Sequence, residues 1–254
     1  MVSLTLEVPE LKPEDIKQIK GVDVGQRYLA VATNTQNQTK FFSGKQARHR
    51  GNKYHKARKT LQQKGTRSAK RRLISLSGRE RRFTAAVNHS ISKNIVSPNT
   101  LIGLENLKYI RERITRRSSK KASRKQKEAN RNQSKWSFAE LHGYIDYKAV
   151  LSSSLAVKVL AQLTSQCCPK CGHVSKENRP NKGLIFKCVS CNHELHSDLV
   201  GARNVALRTL LLRQDFESTG RISAVPDVSH DETKARCLER YLELRWSADA
   251  IPTF

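Results

Sequence analysis

Long apolar runs are missing from this 254-residue chain. A membrane-spanning helix needs ~18 or more consecutive apolar residues. The best stretch, Ser154 to Leu163, is interrupted by Lys158, which excludes an integral membrane protein. A secretory signal is missing too, since Met1 to Leu11 carries Glu7 and Glu10 and has no basic segment ahead of an apolar block. The expected setting is therefore reducing and cytoplasmic. Aromatic residues make up only 6%, and Tyr54, Phe83, Tyr109 and Trp136 are too sparse to form a platform on which bases stack. Acidic residues are the last scarcity: 22 Asp and Glu face 48 Lys and Arg, for a net charge of +26. The length suits one ordinary domain with a small insertion, or two small domains.

The acid deficit is local. Between Lys40 and Lys135 there are 29 Lys and Arg against 4 Asp and Glu, so an excess of 25 charges sits in 96 residues with near-neutral flanks. A Lys/Arg run is ordinarily a solvated face, but this concentration would oppose compaction unless phosphates neutralise it. Lys70, Arg71, Arg72, Arg79, Arg81, Arg82 and the basic residues from Arg111 to Arg131 are the expected phosphate contacts. With so few aromatics among them, the binding expected is backbone tracking with little base readout.

Alternation at Gly21-Val22-Asp23-Val24-Gly25 places Asp23 in a strand on the face opposite the two valines; Tyr28 to Thr33 and Lys40 to Phe42 continue as β-prone runs around a turn at Asn34 to Asn37. Residues 44–96 contain no proline, and Phe83, Ala86, Val87, Ser90, Ile91 and Ile95 recur at helical spacing. One long basic helix, or a helical hairpin broken near Lys64-Gly65, fits equally. Leu101 to Leu104 reads as a strand buried on both faces, ended by Glu105. Residues 109–135 read as a mobile basic loop. A helix stripe at Phe138, Leu141, Ile145 and Ala149 and a strand at Ala156 to Leu160 follow. Asp198 opens another helix, where the dipole favours an acid, and Leu238, Tyr241 and Leu242 suggest a short final one.

Five of the six cysteines fall between positions 167 and 191. Cys168-Pro-Lys-Cys171-Gly and Cys188-Val-Ser-Cys191-Asn are two C-x2-C pairs at a spacing suited to a four-cysteine zinc site, closed and structural. Gly172 and Asn192 tolerate the left-handed backbone that lets N–H groups face the thiolates. Cys167 could enter only at C-x3-C spacing, so Cys168 is preferred. His173, His193 and His196 are expected to be solvated or to touch nucleic acid.

Asp23 within an apolar strand, Glu105 at a strand end and Asp198 at a helix start are each explicable as capping or salt-bridged acids. A carboxylate on a buried strand is costly, however, unless paired or metal-bound. Together with the order of the blocks, the residues resemble a known family. Gly21 to Gly25 with Ala30-Val31, Leu104-Glu105-Asn-Leu107, Thr164-Ser165 leading into Cys168-Pro-Lys-Cys171-Gly, and His196-Ser-Asp198 to Asn204 are similar to the RuvC and zinc-ribbon half of TnpB. These OrfB-type transposon-encoded proteins are relatives of type V CRISPR effectors. The resemblance implies an α/β, RNase H-like (RuvC) fold with a long basic helical insertion and an inserted four-cysteine zinc ribbon. It implies Asp23, Glu105 and Asp198 as catalytic ligands of Mg2+, Zn2+ held by Cys168, Cys171, Cys188 and Cys191, and DNA and a guide RNA as partners.

On that reading residues 1–20 are the remnant of a missing wedge region. Residues 21–166 form the core, with a basic helical region at 44–96 and the loop at 109–135. The ribbon follows at 167–193, the last core helix at 194–213 and a tail at 214–254. Two rivals stay open: a truncated nucleic-acid-binding protein that keeps the fold without cleaving, and a zinc-ribbon factor of transcription or translation, which leaves the three acids unexplained.

Overall fold

The computed structural model describes residues 11–107, 123, 136–180, 183–226 and 231–247. The expected loop at 109–135, Ser123 apart, and the first half of the segment 1–20 lie outside the described residues. Five strands form one sheet in the order β3-β2-β1-β4-β5: β1 (Gln18–Asp23), β2 (Tyr28–Asn34), β3 (Thr39–Ser43), β4 (Thr100–Glu105) and β5 (Leu155–Val159). The first three are antiparallel neighbours, while β1, β4 and β5 run parallel. The parallel register pairs Val22 with Leu104, so the strand ends carrying Asp23 and Glu105 lie side by side. Asp23 is the last residue of β1, not a mid-strand position. The strand takes in Gln18, Ile19 and Lys20 ahead of the glycine, and fully buried Ile19 anchors this polar-looking start.

The two-residue period of the strands sorts their side chains between two layers. Val22, Ile102 and Leu104 face one side, where they meet Ile91 and Ile95 of α2 (Arg67–Ile95) and Leu141, Ile145 and Ala149 of α3 (Phe138–Leu151). α1 (Lys45–Lys64) packs on α2 as the second arm of a hairpin. Gly65 closes α1 in the left-handed conformation at φ 64°, and Thr66 caps α2 by accepting from the Ala69 N–H. The break at Lys64-Gly65 is thus where the chain reverses, because only glycine takes that conformation without strain.

The other face is covered by α4 (Ser197–Thr219). A Cβ on Gly21 would fall within the backbone of Ala202 and Ala206, and one on Gly103 would overlap Thr209. Two glycines in adjacent strands thus let α4 lie directly on the sheet. A Gly21→Val variant is expected to lose about 3 kcal/mol or more of stability by overpacking this crossing, measured by chemical denaturation. An unchanged midpoint would contradict the close approach.

α4 continues past position 213 to Thr219, where Gly220 caps it. α5 (Asp231–Glu243) then folds back on it: Arg240 pairs with Asp215 at 2.7 Å and Arg208 lies 4.4 Å from the Tyr241 ring centroid. Trp246 reaches further, its backbone N–H donating to the Pro169 carbonyl at 2.7 Å and its indole to Asn37 Oδ1 at 2.8 Å. The chain's last described residues thus fasten the cysteine segment to the β2–β3 turn. Among the described residues no helix is long and apolar enough to cross a membrane.

Candidate functional site

The cysteine segment makes a small two-stranded hairpin, β6 (Ile185–Lys187) with β7 (Glu194–His196). Its thiols come from the tips of two knuckles. Gly172 and Asn192 take positive φ of 77° and 56°, as the sequence expects, and the N–H groups of Gly172 and Asn192 donate back to the carbonyls of Cys168 and Cys188. One sulfur atom each from Cys168, Cys171, Cys188 and Cys191 lies within 4.8 Å of every other. Cys168 and Cys191 are 3.7 Å apart, Cys171 and Cys188 3.5 Å. Four ligands at ~2.3 Å from a common tetrahedral centre would stand ~3.8 Å from one another, so the set can hold a metal ion.

Burial pushes the Cys168 and Cys171 thiols up. Burial acts the same way on Cys188, but the N–H groups of Cys191 and Ser190 and the neighbouring thiols outweigh it and bring that thiol down to about 7. Cys167 is buried outside this set, its sulfur turned toward the Gly172 carbonyl. Phe186 and Val200 supply the hairpin's small apolar floor against α4.

The three acids arrive from three elements. Asp23 ends β1, Glu105 ends β4 and Asp198 stands in the first turn of α4. The His196 ring caps that turn, with Nδ1 accepting from the Asp198 N–H at 3.2 Å, and packs edge-on against Tyr28 and Phe41. His196 thus caps the helix and packs against the sheet edge while staying half-exposed. Gly201, one turn on, leaves room for Asp23: a Cβ there would come within 2.9 Å of its carboxylate.

Burial, then the charges of Glu105 and Asp198, push the Asp23 carboxyl well above its ordinary range, with Arg179 and the Val24 N–H opposing. Glu105 is also raised by burial, against a 2.6 Å hydrogen bond from the Thr164 hydroxyl and the charge of Arg208. The structure thus brings all three acids into one electrostatic cluster, looser than the thiol set. Among the described residues, only the four thiols bring three or more metal-ligating atoms within 4.8 Å of one another.

Reasoning from sequence missed Arg179. It projects from the cysteine hairpin to stand 3.8 Å from Asp198 and within electrostatic reach of Asp23. Nothing in its spacing sets it apart among the 48 Lys and Arg residues. Thr164 and Asn204 also belong here. Asn204 donates to the carbonyls of Thr164 at 2.7 Å and Cys167 at 2.8 Å, so α4 grips both the residue that bonds Glu105 and the start of the cysteine segment. The six basic residues singled out on α2, Lys70, Arg71, Arg72, Arg79, Arg81 and Arg82, are all exposed to solvent.

The family model described as a probable transposase of the OrfB type matches residues 3–110, and the Cas12f1-like TNB domain matches residues 138–205. A TnpB-like protein of Methanocaldococcus jannaschii is 32% identical over 133 residues, covering 51% of this chain and 44% of that protein. A CRISPR-associated endodeoxyribonuclease Cas12f1 of Sulfoacidibacillus thermotolerans is 38% identical over 72 residues, 28% of this chain and 17% of that one. The solved Cas12f1 complex with guide RNA and target DNA shares the fold, with a TM-score of 0.56 at 22% identity over 80% of this chain and 52% of that chain. Along these parts of its length the chain is similar to TnpB-like and Cas12f1 proteins. It spans less than half the length of the two relatives named.

Proposed function

We propose that this chain is a transposon-associated, metal-dependent DNA endonuclease acting with a guide RNA. Its sheet with α4 would form an RNase H-like (RuvC) core, α1 and α2 a basic helical insertion, and residues 167–193 a zinc ribbon. A nucleoid-associated cytoplasmic setting follows from the partners. The observation that carries the reading is the convergence of Asp23, Glu105 and Asp198 from three elements, with Asp23 raised by burial and by the other two. Partly or fully buried carboxylates left in mutual repulsion are unfavourable, and oxygen donors of this kind suit Mg2+. A bound Mg2+ pair would stabilise the attacking and leaving oxygens of an in-line phosphodiester displacement.

The protein's own residues set up that chemistry. β1 and β4 fix two carboxylates at neighbouring strand ends, and the N-terminus of α4 holds the third. Thr164 fixes Glu105 by donating to one of its oxygens. Arg179, beside Asp198 and Asp23, is placed to meet a scissile phosphate and its developing charge. The four-thiolate hairpin suits Zn2+ in a closed, structural site, holding Arg179 at the acids.

Incubating the full chain with supercoiled plasmid in Mg2+ or in chelator tests the reading. Nicking that requires Mg2+ supports it. Binding without nicking would favour the rival, a protein that binds nucleic acid without cleaving it.

The exposed charges on α2 predict binding dominated by counterion release. Replacing Lys70, Arg71 and Arg72 by Ala should reduce the slope of log affinity against log salt by about 2 to 3 for duplex DNA, read by fluorescence anisotropy across a salt series. A slope equal to that of the unmodified protein would rule out phosphate contacts there.

A further inference from the structure

A cavity of about 80 Å³ opens between α1, α2 and the turn joining β1 to β2. Its wall carries three aromatic side chains, Tyr54, Phe83 and Trp136, with Leu29 at its floor and Arg48 on its exposed rim. These aromatics lie up to 82 positions apart in the sequence, and the helical hairpin gathers them. We infer that this cavity takes a single unstacked, pyrimidine-sized nucleobase from a strand carried along the basic helices, a role that rests on the nucleic-acid reading above.

Four observations converge on that ligand. First, one water needs ~10–15 Å³, so the space takes several and has room for one six-membered heterocycle. Second, flat aromatic walls suit a flat ring, because base–aromatic stacking tolerates any base, and Phe83 is steadied by the Arg50 guanidinium 4.7 Å from its centroid. Third, the polar groups match a base edge. The indole N–H of Trp136 is buried with no acceptor among the described residues, a costly state that a base carbonyl or ring nitrogen would relieve. Gln26 offers an amide, and Glu80, its charge paired with Arg58, offers an acceptor for a base N–H. Fourth, that carboxylate and the apolar walls disfavour a phosphate inside, while Arg48 and the neighbouring lysines and arginines of α1 hold phosphates at the mouth.

The test uses the full chain and two single strands with equal numbers of phosphates, oligo(dT) and a fully abasic strand, with affinities from fluorescence anisotropy at one salt concentration. The unmodified protein should bind oligo(dT) about tenfold more tightly, the effect of one stacked base. Gly51 lines the cavity from within α1, and a Cβ there meets nothing within 4 Å. Gly51→Leu therefore adds a side chain at the cavity wall from a position where its Cβ is unhindered, and it improves helix propensity. It should bring oligo(dT) affinity down to the abasic value, leave abasic affinity unchanged, and leave the melting temperature level or raised. Phe83→Leu should do the same to a lesser degree. Equal affinity of the unmodified protein for the two strands, or a base preference that survives Gly51→Leu, overturns the pocket while the nucleic-acid reading stands. Failure to bind either strand overturns that reading and the pocket with it.

Discussion

Protein purified without chelator should contain about one equivalent of zinc, and removing it should unfold the segment from Cys168 to Cys191. The hairpin's apolar floor is little more than Phe186, Val200 and the sulfur atoms, too small to hold the fold alone. Metal binding is then folding energy of about 10 kcal/mol or more. Cys168→Ser should lose the metal, raise protease sensitivity across this segment and release Arg179 from the acids, while the sheet keeps its own core. Cys167→Ser should change the zinc content little, because that sulfur lies outside the set of four. Equal zinc loss in both variants would contradict the assignment of ligands. Binding should also release protons, since burial holds Cys168 and Cys171 protonated in the metal-free protein.

The second large effect concerns the acids. In metal-free protein Asp23→Asn should raise the melting temperature, because it removes a partly buried charge from beside Glu105 and Asp198. Asp23 and Glu105 both have folded values above their unfolded ones. Their stabilising contribution is therefore fully present below the ordinary carboxylate range and is lost as pH rises through the raised values. Asp23→Asn should flatten that decline. Mg2+ should reverse the behaviour of the unmodified protein, raising its melting temperature by binding the native state alone, and should have little effect on the variant. An equal Mg2+ shift in both proteins would place the ion elsewhere.

Much of this was legible in the chain because local signals carried it. The two C-x2-C pairs, with Gly172 and Asn192 after them, specified the knuckles, and the period-two strands around Asp23 and Leu101 to Glu105 marked a sheet with acids near its edge. The helical stripe from Phe83 to Ile95 marked α2, and the structure decides between one helix and a hairpin through the left-handed Gly65. What stayed hidden depends on approach between distant elements. Arg179 is one basic residue among many until the hairpin folds beside α4. The glycines at 21 and 103 acquire their meaning only when α4 crosses them. Tyr54, Phe83 and Trp136 looked too sparse to act together because sequence separation conceals their convergence. Trp246, in a segment that reads as a tail, is fastened to Pro169 and Asn37 by contacts that no periodicity announces.

The central claim is that Asp23, Glu105 and Asp198 form one metal-dependent cleavage centre. It is tested most directly by following DNA cleavage in Mg2+ for the unmodified chain and for Asp23→Asn, Glu105→Gln and Asp198→Asn, at protein concentrations adjusted to equal DNA occupancy. The account predicts Mg2+-dependent cleavage by the unmodified chain and a loss of roughly 10²–10³-fold or more in each variant, the scale of removing one preorganised group from a charge-stabilising site, with DNA affinity held by the separate basic helices. Cleavage that persists in any one of the three variants at matched occupancy would contradict it.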